Sequence, residues 1–303
     1  PRNEQCFFNV SDYLSNVTHK DASENLGDLL RDSVYHHFVS DVPVGVFLSS
    51  GLDSTTLVGL SSELQGAGLN TISLGFDEFR GSLNDEIPLA EKIAATYGTH
   101  QHSIRILSED FYEHMDDLLS VMDQPSIDGV NTYFVSKAAA SQGLKVAISG
   151  LGGDEIFAGY NSFSQVPRLV ASVGRIPCID IIGRFFRGIS SPLIASGIPQ
   201  KAAGLLEYSG CHGDAYLLRR SLYMPWEIGS ILGEDMAREG LSKLAVRTRL
   251  NDSQNLIQEP KAKISALEMS WYMRNQLLRD ADWAGMAHGV EIRVPFVDLI
   301  LFK

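Results

Sequence analysis

The sequence predicts an α/β fold: a parallel sheet with helices on both faces, followed by a mainly helical C-terminal region. Three observations lead there. Over the first half of the chain, short apolar runs alternate with segments of helical periodicity. Two glycine-rich turns directly follow two of those runs. From about Phe163 to Ala262 the strand pattern fades, and prolines such as Pro167, Pro177 and Pro225 punctuate helical-looking stretches. Strands alternating with helices of this length require crossover connections, and crossovers cover both faces of a parallel sheet.

The elements follow in order. VPVGVFL (Val42 to Leu48) is a short, β-branched run of the buried-strand type. After its LSSGLDS turn comes a helical segment, STTLVGLSSELQ. TISLGF (Thr71 to Phe76) is a second strand. In NDEIPLAEKIAATYG, Ile87, Ala90, Ile93, Ala94 and Tyr97 recur at helical spacing, and Gly98 is placed to end the helix. HQHSIRI (His100 to Ile106) is a third strand, with its helix in EDFYEHMDDLLSVM. TYFVSKAAASQG is a further helix and KVAISG (Lys145 to Gly150) a fourth strand, leading into the turn SGLGGDE. The last part, from ISALEM to VPFVD, predicts a long helix with Gly289 as a candidate break.

Bulk properties narrow the function. The net charge of −12 disfavours nucleic acid or an anionic membrane as the main partner, because both call for a positive surface. It does not disfavour a phosphate ligand, which a local loop and a metal can hold inside an acidic protein. Cys6, Cys178 and Cys211 are far apart and form no metal-type pair, so they read as buried or free thiols in a reducing compartment. The first residues carry no secretory signal, and no stretch approaches the roughly 18 apolar residues of a membrane span. The expected location is cytoplasmic. His36 and His37 are adjacent and point apart on a helix, while His100 and His102 share one strand. Neither pair has a convincing third ligand, and both read as structural.

Ser49-Ser50-Gly51-Leu52-Asp53-Ser54 joins a strand to a helix. Such a turn leaves backbone N–H groups unpaired under a favourable helix dipole, and small residues let the backbone close around an anion. Asp53 does not suit a direct phosphate contact, but it suits a Mg²⁺ ion bound to phosphate. A plain N-cap turn has similar residues, so both readings stand on this stretch alone. The turn resembles the pyrophosphate-binding loop of the ATP pyrophosphatases, usually S-G-G-x-D-S, with Ser50 in place of the first glycine. That family cleaves ATP between its α- and β-phosphates. The resemblance implies the PP-loop, HUP-like version of the predicted sheet.

The second motif, Ser149-Gly150-Leu151-Gly152-Gly153-Asp154-Glu155 with Phe157, Gly159 and Tyr160, allows positive φ and close approach to a ligand. Asp154 and Glu155 also suit an ordinary acidic helix start. The functional reading sets Asp154 opposite Asp53 as a second Mg²⁺ ligand. S-G-x-G-G-D-E-x-F-x-G-Y resembles the signature of the synthetase domain of the glutamine-hydrolysing asparagine synthetase family. Further matches are Asp41-Val42-Pro43-Val44-Gly45, Asp85-Glu86, Gly98-Thr99-His100, and Asp123, Pro125 and Asp128. Far downstream, Met286-Ala287-His288 and Glu291-Ile292-Arg293-Val294-Pro295-Phe296-Val297-Asp298 resemble the family's M-A-x-S-x-E-x-R-x-P-F-x-D. Glu291 and Arg293 read either as a buried ion pair supporting the site or, for Glu291, as a catalytic residue.

The resemblance implies a carbon–nitrogen ligase that uses ATP and Mg²⁺ to adenylate a carboxylate, which ammonia then converts to an amide, releasing AMP and pyrophosphate. It implies that Ser49, Ser50, Gly51, Asp53 and Ser54 grip pyrophosphate. Phe47, Leu48, Leu74, Gly75, Ser149 and Gly150 would line the adenosine site, and Asp53 and Asp154 would hold the metal. Leu151 departs from the acidic residue usual in asparagine synthetases at that position, and from the tyrosine of carbapenam and β-lactam synthetases. The family's catalytic lysine lies beyond the third motif, and Lys303 is too close to that motif to be assumed its equivalent. Aspartate is the first expected acceptor. Another carboxylate, such as a uronic acid of a surface polysaccharide, is the second, and a nucleotide-binding module without synthetase activity the third. Residues 1–303 read as one synthetase domain. They begin without Met and stop at VPFVDLILFK, so both ends read as cut from a longer chain whose glutaminase domain would supply ammonia. A homodimer is among the assemblies left open.

Overall fold

The computed structural model describes residues 9–14, 22–174, 176–194 and 200–301. Cys6 and Lys303 lie outside the described residues. Two compact units divide the chain: a sheet unit of residues 22–156 and 271–301, and a helical unit of residues 9–14 and 157–270.

The sheet unit contains five strands: β1 Val44–Phe47, β2 Asn70–Phe76, β3 His100–Ile106, β4 Val146–Ile148 and β5 Glu291–Arg293, in the order β3-β2-β1-β4-β5. Every neighbouring pair is parallel. β1 is shorter than the apolar run around it. Pro43 stands just before it, and Leu48 continues the ladder by one bond, donating its N–H to Ile72 O at 2.8 Å. β5 is the strand that the sequence pattern does not announce.

Alternating side chains bury both faces of the sheet. Val46 and Ile148 pack with Leu30, Val34, Leu57, Val58, Ala90 and Ala94, which come from the helices Ala22–His37, Leu52–Gln65 and Ile87–Tyr97. Ile72 and Ala147 point the other way, onto Ala138 and Ala139 of the helix Gly129–Ser141, with Phe47 and Ile104 beside them. Leu57, Val58 and Ile148 are fully buried, and each such side chain contributes about 1.5–3 kcal/mol through removal from water. Gly98 adopts φ 66° and ψ 33° and ends the helix Ile87–Tyr97 as expected, its N–H reaching the carbonyls of Ala94 and Ala95.

In the helical unit, Tyr208, Leu218 and Met224 form a buried cluster. Glu268 has no exposure, yet it accepts from Ser162 Oγ at 2.5 Å, Tyr216 Oη at 3.0 Å and Arg220 Nε at 3.1 Å. The Arg220 guanidinium also lies 4.3 Å from the centre of the Tyr160 ring, so the last residue of the second motif enters this network. The predicted long helix runs from Pro260 to Met286, with π-type turns over Glu268–Leu277. It ends before Gly289, whose φ is +64°. No helix among the described residues is long and apolar enough to cross a membrane.

Candidate active site

The strand order reverses between β1 and β4. At such a switch point the connections leave in opposite directions and open a crevice at the carboxyl ends of the strands. Both glycine-rich motifs emerge there, one after each strand.

The first loop is shaped by its serines. Gly51 is extended, at φ −73° and ψ 157°, and starts the helix Leu52–Gln65. Its N–H donates to Ser49 Oγ at 3.2 Å. Ser54 is buried and its hydroxyl lies within hydrogen-bond distance of three loop oxygens: Ser49 Oγ at 2.9 Å, Ser49 O at 3.0 Å and Gly51 O at 3.2 Å. These hydroxyls therefore organise the loop from within. The first-turn N–H groups of the helix remain for a ligand. Leu52 is 87% exposed, marking the open side of the turn.

The second loop closes on the first. Ser149 donates its N–H to Arg293 O at 2.8 Å, which extends the β4–β5 ladder, and its Oγ accepts from Leu151 N at 3.4 Å. Gly152 has φ +97°, and a Cβ there would lie 2.7 Å from Val297 Cγ2. A Cβ on Gly150 would lie 3.1 Å from Ser54 N and 3.2 Å from Asp53 Cβ. At Gly153 the constraint is tighter, since a Cβ would lie 2.3 Å from both Cγ and Oδ2 of Asp53. The missing side chain of Gly153 is the space that the Asp53 carboxylate occupies.

Asp154 follows in the first turn of the helix Gly153–Phe157. Burial first, and then the negative charge of Asp154, push the Asp53 carboxyl up to about 6. The structure thus brings Asp53 and Asp154 within electrostatic reach of each other. A divalent cation between two such carboxylates relieves the repulsion, so this donor set fits Mg²⁺. Among the described residues no cluster of three His, Cys, Asp or Glu side chains stands ready to hold a metal ion. The histidines expected to be structural hold backbone or side-chain oxygens: His36 Nδ1 meets Asp32 O, His37 Nδ1 meets Ser33 O, and His102 Nε2 meets Asn70 Oδ1.

The remaining candidates divide. Leu48 is buried, and its carbonyl accepts from Ser73 Oγ at 2.5 Å, so sheet pairing and this bond occupy both its backbone groups. Phe47 packs on the core of the opposite face. Leu74 and Gly75 sit at the carboxyl end of β2, and Leu74 packs against the buried cluster of Leu118, Tyr133, Phe134, Trp283 and Ala284. Glu291 is not brought to the loops. It is paired with Val146 at the amino end of β5, away from the turn that follows Ile148. It does bond Arg293 Nε at 2.8 Å, but its side chain is 60% exposed, so the pair is not buried as expected. β5 is the edge strand of the sheet, and Arg293 Nη1 donates to the carbonyls of His37 and Val39.

A network that sequence reasoning did not assemble joins distant segments of the sheet unit. The segment 123–128 is stapled to the helix that ends at Met286. Asp128 Oδ2 accepts from Tyr272 Oη at 2.8 Å and Gln276 Nε2 at 2.7 Å, and Asp123 pairs with Arg279 at 2.6 Å. Buried Asp280 accepts from Ser126 Oγ at 2.5 Å and Trp283 Nε1 at 2.9 Å. The D-x-P-x-x-D spacing was the available signal, but its partners lie about 150 residues away, as in the separation of 144 between Asp128 and Tyr272.

The asparagine synthase family matches residues 25–303, nearly the whole chain. The chain belongs to this family. It is 31% identical over 290 residues to asparagine synthetase (glutamine-hydrolyzing) 1 of Bacillus subtilis, covering 91% of this chain and 42% of that protein. It is 27% identical over 312 residues to asparagine synthetase (glutamine-hydrolyzing) 3 of the same organism, covering 96% of this chain and 43% of that protein. A putative asparagine synthetase (glutamine-hydrolyzing) 2 of Methanocaldococcus jannaschii is 37% identical over 157 residues, covering 51% of this chain and 30% of that protein. The chain therefore spans less than half the length of these relatives.

Proposed function

We propose that this chain is the ATP-using part of a carbon–nitrogen ligase that turns a carboxylate into an amide, with aspartate as the acceptor and asparagine as the product. One observation carries the reading: at the switch point of a parallel sheet, a phosphate-type loop and a glycine-rich acidic loop interlock, with Asp53 seated on Gly153 beside Asp154. Membership of the asparagine synthase family supports it.

A carboxylate does not react with ammonia near neutral pH, because its leaving group would be oxide. Attack of the carboxylate oxygen on the α-phosphorus of ATP forms an acyl adenylate and expels pyrophosphate. The first-turn N–H groups after Gly51 face the departing pyrophosphate and stabilise the charge that gathers on it. Ser49 and Ser54 keep that turn in shape. Asp53 and Asp154 would hold Mg²⁺, which neutralises phosphate charge when bound. Leu74 and Gly75, at the end of β2, would flank the nucleoside. Ammonia then attacks the acyl carbon, AMP leaves with the electron pair of its acyl–oxygen bond, and the nitrogen gives up one proton to water.

Leu151 supports a second reading, in which the acceptor is a carboxylate other than aspartate. The residue is half-buried in the second loop and offers no side-chain proton acceptor there, so a larger or less polar carboxylate is the alternative. A glutaminase domain elsewhere in the same protein, in line with the glutamine-hydrolyzing relatives, would deliver ammonia, in the cytoplasm. Purified chain supplied with MgATP, aspartate and ammonium chloride should release pyrophosphate and form asparagine, while glutamine should not replace ammonium. Pyrophosphate release that depends on another carboxylate would move the acceptor. Amide formation from glutamine by this chain would refute the division of labour.

A further inference from the structure

One ion pair beside the site has no place in the chemistry above. Arg105 of β3 stands opposite Gly75 of β2 in the sheet register. Its Nη2 donates to both oxygens of Asp85, at 3.1 and 2.9 Å. Asp85 also accepts from Gly81 N at 2.9 Å and Ile87 N at 3.4 Å. One carboxylate therefore closes the turn at Gly81, meets the start of the helix Ile87–Tyr97 and ties both to β3. The hydrogen bond from Arg105, foremost, holds the Asp85 carboxyl below the usual range.

The guanidinium lies close over the end of β2. A Cβ on Gly75 would lie 2.7 Å from Ile87 Cδ1 and 3.6 Å from Arg105 Nη1. Nη1 is buried and has no acceptor among the described residues. Leaving a donor unsatisfied is unfavourable, so the Asp85 pair alone does not account for the pose of this nitrogen. β2 is also joined to the base of the phosphate loop, through the bond from Ser73 Oγ to Leu48 O. Residues 77–86 are thus the stretch of chain that leaves β2 next to that loop, at the ligand-binding edge of the sheet.

We infer that Arg105 is a positioning residue for the nucleoside half of the nucleotide, fixing residues 77–86 through Asp85 as a wall beside Leu74 and Gly75. The inference rests on the nucleotide reading proposed above. A wall held still before binding spares the ordering cost when the ligand arrives, so its loss is felt in affinity more than in stability.

The test separates the two halves of the nucleotide. MgATP and Mg-pyrophosphate are titrated separately into the purified chain by calorimetry, with thermal unfolding of each variant as a control. Arg105→Met should weaken ATP binding about tenfold or more while pyrophosphate affinity stays within about twofold. Arg105→Lys, which retains a cation facing Asp85, should recover part of the ATP affinity, and Asp85→Asn should lose it. Wild-type ATP affinity in Arg105→Met, or equal loss of both ligands, would overturn the role of Arg105 and leave the nucleotide site standing. No ATP binding by the wild-type chain would overturn the nucleotide reading and this inference together.

Discussion

Replacing Asp53 by Asn tests the electrostatics of the site without any substrate. Burial and the charge of Asp154 push the Asp53 carboxyl from 3.8 to about 6. That difference corresponds to an upper bound of about 3 kcal/mol, at roughly 1.4 kcal/mol per pH unit. Asp53 is only half-buried, so water screens part of this, and about 1–2 kcal/mol remains. Between pH 3.8 and about 6 the folded protein keeps a proton on Asp53 that the unfolded chain has released. The folded state then binds more protons, so stability falls as pH rises through this window, and the penalty is complete above about pH 7. Asn keeps the shape and carries no charge. Asp53→Asn should therefore be more stable than wild type by about 1–2 kcal/mol at pH 8, with the gain falling to about a third at pH 4.5. Urea unfolding of both proteins at the two pH values measures this. A variant less stable than wild type at pH 8, or a gain equal at both pH values, would show that Asp53 does not experience the crowding described.

Three further outcomes follow from the packing. Gly153→Ala must push the Asp53 carboxylate aside by about 1 Å without straining φ, so its urea midpoint should stay within about 1 kcal/mol of wild type while pyrophosphate formation drops about a hundredfold. Gly152→Ala combines φ +97° with a 2.7 Å approach to Val297 Cγ2, and should cost about 2–4 kcal/mol in the same unfolding assay. Glu268→Ala leaves the Arg220 guanidinium facing a buried gap where a 3.0 Å ion pair stood, and thermal unfolding should report a loss of about 3–5 kcal/mol.

Much of the fold is legible in the sequence because its signals are local. β1, β2 and β4 are β-branched runs bounded by turn residues, and Gly98 ends a helix in the only way a left-handed residue comfortably can. β5 is not legible. Its three residues, Glu-Ile-Arg, have no strand pattern of their own and are extended because β4 offers them a ladder. The loops stand out because close backbone approach requires glycine, but nothing local says that Gly153 clears space for Asp53, a residue 100 positions earlier. Arg105 was hidden for the same reason. Within HQHSIRI it is one polar residue of an alternating strand, and only the register of β2 and β3 sets it over Gly75. Glu291 shows a further limit, because a motif records spacing and not which end of a strand a residue occupies.

The most direct test of the central claim follows oxygen. Aspartate labelled with ¹⁸O in its side-chain carboxylate is incubated with the chain, MgATP and ammonium ion, and the nucleotide product is analysed by mass spectrometry. Adenylation makes the carboxylate oxygen the bridge to the α-phosphorus, so one ¹⁸O should appear in AMP for each amide formed, with pyrophosphate in equal amount. ADP and labelled inorganic phosphate, or amide formed with unlabelled AMP, would contradict the account.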